Sequence, residues 1–297
     1  MSDDFYGMRT RSIANKFLRL DFLTGAGPRI VRLALAGSNE NWMAELPENI
    51  VPTPHGDYHF YGGHRLWHSP EAMPRTYFPD NQAVVVEELE HGVRLVQPTE
   101  SNTGIRKSMQ IQLQGDRAAL TILHRLQNEG TKTVEFAPWA ITQLKLGGIA
   151  ILPQTIGPVD VPGLLPNRQL VLWPYTRLRD PRLELHDDLI LMRGQALVPA
   201  CKIGCFVRRG WVGYFWNGTL FVKRFQARLD ELHPDYGCNA EVYCNDQFIE
   251  VETLGSLAVL KPGDATTAEE TWEFYTNLGT PQTVEEVRSI VGRLHLA

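Results

Sequence analysis

The chain has 297 residues, 43% of them hydrophobic and 21% charged, with a formal net charge of −5. That length can bury a sizeable core, and mild acidity without a basic stripe argues against nucleic acid or an anionic membrane as the main partner. No apolar run approaches a membrane span, and the opening MSDDFYGMRTRS lacks the apolar segment of a secretory signal, so a cytoplasmic protein is expected.

Strand signals begin early. SIANKFLRLDFLTGAGPRIVRLALAG reads as a strand through Phe17–Leu23, a Gly-Pro turn, and a second strand through Ile30–Leu35. AVVVEELEHGVRLVQP reads as a hairpin turning at His91-Gly92. In KSMQIQLQGDRAALTILHRLQNEG, Met109, Ile111 and Leu113 alternate with glutamines, QGDR turns the chain, and Leu120, Ile122 and His124 alternate back. TVEFAPWAITQL continues the series. Further short strands are expected at QLVLWPY, LILMRG, ACKIGCFV, WVGYFW, LFVKRF, AEVYCN and FIEVETLG, then a strand, loop and strand in LAVLKPGDATTAEETWEFYTNL.

One helix closes the chain. Thr283 can cap it, Glu286 completes a capping box, and Val284, Val287, Val291 and Leu294 fall on one face. Strands this dense, with frequent turn residues and no βαβ rhythm, predict a mainly β sandwich with a short C-terminal helix. The proline-rich LPQTIGPVDVPGLLPNRQ is the best boundary candidate, but similar strands flank it, so residues 1–297 are read as a single domain.

Cys201, Cys205, Cys238 and Cys244 sit in strand-like sequence without a tight knuckle, which favours reduced cysteines over zinc ligands. The stretch YGGHRLWHSPE, residues 61–71, is unusually polar and aromatic. His64 and His68 are spaced to share a metal only on a helix, which the glycine pair opposes. A polar ligand suits the stretch better. Arg65 donates bidentately, Trp67 offers a flat apolar face, and Glu71 adds a carboxylate, a combination fitted to a sugar.

A second constellation lies in NAEVYCNDQFIEVETLG. Alternation places Asn239, Glu241 and Tyr243 on one face of the first strand, and Glu250 with Glu252 on one face of the second. Two carboxylates pointing into one cleft raise at least one pKa, as a general base near neutral pH requires. The alternative is a solvated strand face. Trp139 follows a strand-end proline, whereas Trp173, Trp211, Trp216 and Trp272 read as core. Lys202 and Lys223 stand in apolar strands, where a lysine ordinarily snorkels and less often faces a cleft.

Taken in order, LTGAGPRIVRLALAGSNENW, LHRLQNEGTKTVEFAPWAITQL and FIEVETLG with LKPGDATTAEETWEF resemble the galactose mutarotase-like (aldose 1-epimerase) superfamily, and in particular a bacterial branch carrying GGHRLW and EVETLG. The resemblance implies a large twisted β-sandwich with a sugar cleft on one concave face, and cofactor-free chemistry. A glutamate takes the anomeric proton, a histidine protonates the ring oxygen, and the ring opens and recloses. By the match at V-E-T, Glu252 falls on the base position with Glu250 beside it, and Arg65 resembles the arginine that holds sugar hydroxyls. The chain departs from the pattern at the acid: Trp139 stands near the histidine's place, so either His64 or His68 supplies the proton from another strand or mutarotation is not the reaction.

The leading expectation is therefore an epimerase acting on a monosaccharide or sugar derivative, with no metal or cofactor. Glu252, His64 and His68 would be catalytic, and Arg65, Trp67, Glu71, Trp139, Lys202, Glu241 and Glu250 would bind the substrate. A non-catalytic carbohydrate-binding protein on the same fold is the alternative, followed by a glycan lyase or hydrolase using Glu250 and Glu252.

Overall fold

Period-two alternation of apolar residues dominates the sequence, and the computed structural model, which describes residues 4–296, turns it into two large antiparallel sheets. The first sheet runs, in spatial order, through Met8–Ala14, Leu18–Leu23, Arg29–Leu35, Gly56–Ser69, Val134–Leu144, Ile249–Leu254, Ala240–Cys244 and Cys201–Cys205. The second places Ile149–Pro153, Trp211–Trp216, Thr219–Phe225, Ala265–Tyr275, Ala119–Asn128 and Ile105–Leu113 side by side. The chain is mainly β, a sandwich with a short C-terminal helix.

The expected hairpins form. His91 takes a left-handed φ of 62° in the turn between Val85–Leu89 and Gly92–Val96. Met109, Ile111 and Leu113 pair across to Leu120, Ile122 and His124, with their glutamine neighbours turned toward solvent. One apolar cluster draws on both sheets, joining Leu18, Leu20, Ile30 and Leu66 to Met109, Ile111, Ile122 and Trp272. That shared burial is what holds the sheets together.

The helix, Val284–Arg293, begins with the expected capping box. Thr283 accepts from the Glu286 backbone and Glu286 reaches back to the cap. Val284, Val287, Ile290 and Val291 cover the outer face of the second sheet over Ile151, Leu191, Trp211 and Leu220. Leu294 packs at the edge, half-buried. Among the described residues no equivalent helix covers the outer face of the first sheet, which leaves a surface for a cleft.

The proline-rich segment forms no strand over residues 154–170, and the strand expected after it is short. QLVLWPY contributes only the two-residue strand Val171–Leu172, and Val161 and Leu164 stand in solvent.

The glycine pair in YGGHRLWHSPE has a definite structural use. Gly56–Ser69 is one strand of 14 residues that changes partners midway. Residues up to Gly62 pair with Glu45–Thr53, and residues from Gly63 pair with Val134–Leu144. Tyr61, Gly62 and Gly63 take φ values of 55°, 89° and 73° to make the change. A Cβ on Gly63 would stand 1.9 Å from the Ile30 carbonyl oxygen, and one on Gly62 2.0 Å from that of Ala44. The left-handed run also shifts the alternation by one position. Before it Tyr58 and Phe60 face the outer side with Trp67; after it Arg65 and Trp67 do.

Candidate functional site

Five neighbouring strands of the first sheet aim side chains at one outward face. Register places Trp67 opposite Trp139, Arg65 opposite Ile141, Ile141 opposite Glu252, and Glu252 opposite Glu241. The adjoining row carries Glu250 opposite Tyr243 and Tyr243 opposite Lys202. Between them lies a cavity of about 140 Å³ walled by Arg65, Trp67, Trp139, Lys202, Tyr243 and Glu250, with Glu71 and Tyr77 closing it from the loop after Ser69. Pockets for drug-sized ligands run to roughly 300–1,000 Å³, so this cavity suits a smaller molecule. A larger cavity, about 640 Å³, opens between Arg224–His233 and Ala265–Thr271. Arg224 and Arg228 line it beside Glu231 and Glu270, but it has no tryptophan face.

Each aromatic wall is anchored. The Trp67 indole donates to Tyr58 Oη at 2.8 Å. The same oxygen accepts at 2.6 Å from Arg29, whose fully buried guanidinium also holds Asp80. The Arg65 guanidinium lies 4.3 Å over Trp67 and bonds Glu250 at 3.1 Å, leaving Nε and Nη1 without protein acceptors. An oriented guanidinium with free donors on an aromatic face is a ready partner for vicinal hydroxyls.

Lys202 is neither solvated nor snorkelled. Its ammonium sits 4.6 Å from both Trp139 and Trp173, 2.7 Å from Glu241 and 3.0 Å from Glu252. Burial works against the charge, yet the two carboxylates hold the Lys202 pKa well above its usual range. Glu252 is doubly tied, its Oε2 also accepting from the Trp139 indole at 2.6 Å. Burial pushes Glu241 well up despite the lysine, because one ammonium cannot compensate two desolvated carboxylates. Glu250, nearer the opening, is pushed up to about 7, by burial first and then by Glu252, with Arg65 and Lys202 opposing.

No family model matches the sequence, and no curated protein matches it. Solved structures do. A galactose mutarotase-like protein from Lactobacillus casei superposes over 90% of this chain and all of its own, with TM-score 0.57 and 11% identity. A proposed aldose 1-epimerase from Escherichia coli covers 91% of this chain and all of its own, at TM-score 0.55 and 14% identity. Another, from Klebsiella pneumoniae, covers 97% of this chain and 83% of its own, at 0.61 and 9%. The fold is that of the galactose mutarotase-like proteins.

On this mutarotase-like sandwich the two histidines of the GGHRLWH stretch take the opposite face from Arg65 and Trp67. This corrects the expectation that one of them reaches the cleft: both are fully buried between the sheets. Period two leaves no other choice, since residues 64, 66 and 68 share a face that residues 65 and 67 do not. His68 receives Arg75 on Nδ1 at 2.6 Å and meets Glu100 through Nε2 at 3.3 Å. It is therefore a neutral bridge that ties the loop after Ser69 to the interior. His64 meets His124 at 2.8 Å.

His64, His124 and Glu270 bring three metal-type donors within 4.8 Å. Their hydrogen bonds fit a proton-linked chain better than a cation. His124 Nδ1 donates to the Ala268 carbonyl at 3.2 Å, so its Nε2 accepts from His64, whose Nδ1 accepts from Thr142 at 2.9 Å. Glu270 already binds the Lys223 ammonium at 2.9 Å and the Trp272 indole at 2.8 Å. Lys223 is thus buried beneath the sheet, neither snorkelling nor facing the cleft. All four cysteines are buried thiols.

Other placements follow the sequence more closely. Arg65, Trp67, Glu71, Trp139, Lys202 and Glu250 meet at the cavity, while Glu241 and Glu252 lie just beneath it as the partners of Lys202. Tyr77 lines the cleft from an irregular segment where alternation gives no facing, and Trp173, expected in the core, stands half-buried just past a short strand with the Lys202 ammonium 4.6 Å from its ring.

Proposed function

We propose that the cleft binds a free monosaccharide and that the protein interconverts its anomers. The reading rests chiefly on Glu250: of the two carboxylates that border the cavity it is the buried one, beside a tryptophan-backed arginine, with its pKa pushed up to about 7. Such a group accepts a proton from the anomeric hydroxyl near neutral pH. The base role passes from Glu252 to Glu250, because Glu252 is sealed under Lys202 and Trp139 while its neighbour meets the ligand. The mutarotase-like fold supports the same reaction by analogy. Carboxylates at positions 71, 241, 250 and 252 outnumber the cations at 65 and 202, which favours an uncharged sugar over a phosphorylated one.

Anomer interconversion followed by NMR over a panel of aldoses and their phosphates tests the proposal. Glu250→Gln is expected to lower kcat by roughly 10²–10⁴-fold with sugar affinity little changed. Wild-type kcat/KM should rise with pH through about 7 as the carboxyl ionises. No interconversion of any bound sugar would defeat the epimerase reading. It would leave the second reading, a carbohydrate-binding protein, which the absence of a cleft histidine among the described residues favours. A hydrolase pair would require Glu252 to reach the scissile bond, and its burial opposes that.

A further inference from the structure

Anomer exchange needs a proton for the ring oxygen as well as an acceptor for the anomeric hydroxyl, and neither strand histidine enters the cleft. The cavity walls offer few protons. Arg65 does not release its own, and the Lys202 ammonium is held by two carboxylates at 2.7 and 3.0 Å. Two phenols remain, Tyr77 and Tyr243. The Tyr243 ring packs on Phe248 at 5.7 Å and on Tyr175 at 6.3 Å, on the Glu250 side of the cavity. Tyr77 comes from the loop after Ser69 and closes the mouth, its ring 4.8 Å from Trp67 and its hydroxyl hydrogen-bonded to Glu71.

We propose that Tyr77 is the proton donor to the sugar ring oxygen, working with Glu250 as the acceptor. The inference rests on the epimerase reading above. In ring opening the anomeric hydroxyl gives its proton to the Glu250 carboxylate, C1=O1 forms, and the C1–O5 bond breaks as O5 takes the phenolic proton. After rotation about C1–C2, O5 adds back to C1 and returns its proton to the phenolate, while Glu250 returns the other to O1. The cycle closes with no net proton and no co-reactant.

The hydroxyl has one proton, so bound sugar must replace Glu71 as its acceptor. Glu71 is exposed on a loop and can yield, which makes it a positioning residue. Burial and Glu71 raise the Tyr77 pKa, which keeps the phenol protonated but makes it a weaker acid, so its proton passes only as the C1–O5 bond breaks and O5 gains alkoxide character. The loop that carries Tyr77 is itself fixed from below, because Arg75 is clamped between His68 and the Pro70 carbonyl. The second histidine of the GGHRLWH stretch thereby serves the cleft from the opposite face.

The test compares Tyr77→Phe and Tyr243→Phe with wild type, using exchange between the anomers of D-glucose and D-galactose read by NMR. Tyr77→Phe should lower kcat by roughly 10²–10⁴-fold with KM within a few-fold, while keeping the wild-type Tm. Tyr243→Phe and Glu71→Gln should lose far less. If wild type exchanges anomers and Tyr77→Phe does so within about threefold, or if Tyr243→Phe is the variant that fails, the assignment is overturned while the epimerase reading stands. If wild type itself exchanges neither sugar nor any other aldose, both fall together.

Discussion

Replacing Lys202 by methionine keeps most of the side-chain volume and removes the ammonium that lies 2.7 Å from Glu241 and 3.0 Å from Glu252. Both carboxylates are fully buried; Lys202 and the Trp139 indole both bond Glu252 Oε2, while Oε1 has no hydrogen-bond partner among the described residues. Breaking a buried ion pair from one side costs about 3–5 kcal/mol, because the remaining charge is left uncompensated in a poorly solvating interior. The variant can escape part of that cost by taking up a proton, which makes its stability depend on pH. A carboxyl held protonated in the fold has a folded pKa above its unfolded value. Between the two, the native state carries a proton that the unfolded chain has released, so stability falls as pH rises, by about 1.4 kcal/mol per unit for each such proton. Wild type already keeps Glu241 in that condition, and Lys202→Met adds a second carboxyl. The gap between wild type and variant should therefore widen by about 3 kcal/mol from pH 5 to pH 7. Urea unfolding at a series of pH values measures it directly, and Glu241→Gln in the Lys202→Met background should recover part of the loss. A variant less than about 1 kcal/mol weaker than wild type, or one whose deficit does not change with pH, would refute the account of the three-group cluster.

Two further predictions concern the groups that hold the cleft in place. Glu100 is buried with Lys107 at 2.6 Å and His68 at 3.3 Å. Burial opposes its charge, but those partners keep its pKa well below the usual carboxylate range. Its stabilising effect is therefore present above the unfolded value and lost as pH falls toward the depressed one. Glu100→Gln should cost about 3–5 kcal/mol near neutral pH by urea unfolding, with the deficit shrinking in acid; a deficit that grows in acid would contradict the sign. Gly63→Ala places a Cβ 1.9 Å from the Ile30 carbonyl oxygen at a φ of 73°. It should destabilise by more than the roughly 1–3 kcal/mol of a strained backbone alone and weaken sugar binding through Arg65; an alanine variant as stable as wild type would remove the crossover argument.

The sheets and the helix were legible in the sequence because their signals are local. Met109, Ile111 and Leu113 announce a face by themselves, and Thr283 with Glu286 announces a helix start before any packing is known. The excursion around Val161 and Leu164 was less legible. It reads as a boundary candidate between strands, and the prolines at 158, 162 and 166 remove the donors a ladder needs.

The site was legible where two charged residues shared one strand face, and obscure where a motif was read as a unit. Glu250 and Glu252 were placed together by alternation alone. What alternation could not reveal was depth: residue 252 sits under an ammonium contributed by a strand some fifty positions away, and residue 250 does not. The GGHRLWH stretch misled in the opposite way. Its histidines and arginine were treated as one polar group, although period two assigns 64 and 68 to one face and 65 and 67 to the other. The strand serves two environments at once. One face builds the cleft, and the other ties down the loop whose Tyr77 closes it. His68 thus holds the loop that closes the cleft while facing away from the cavity, and the glycine pair that sets the phase decides which residues of the strand face it.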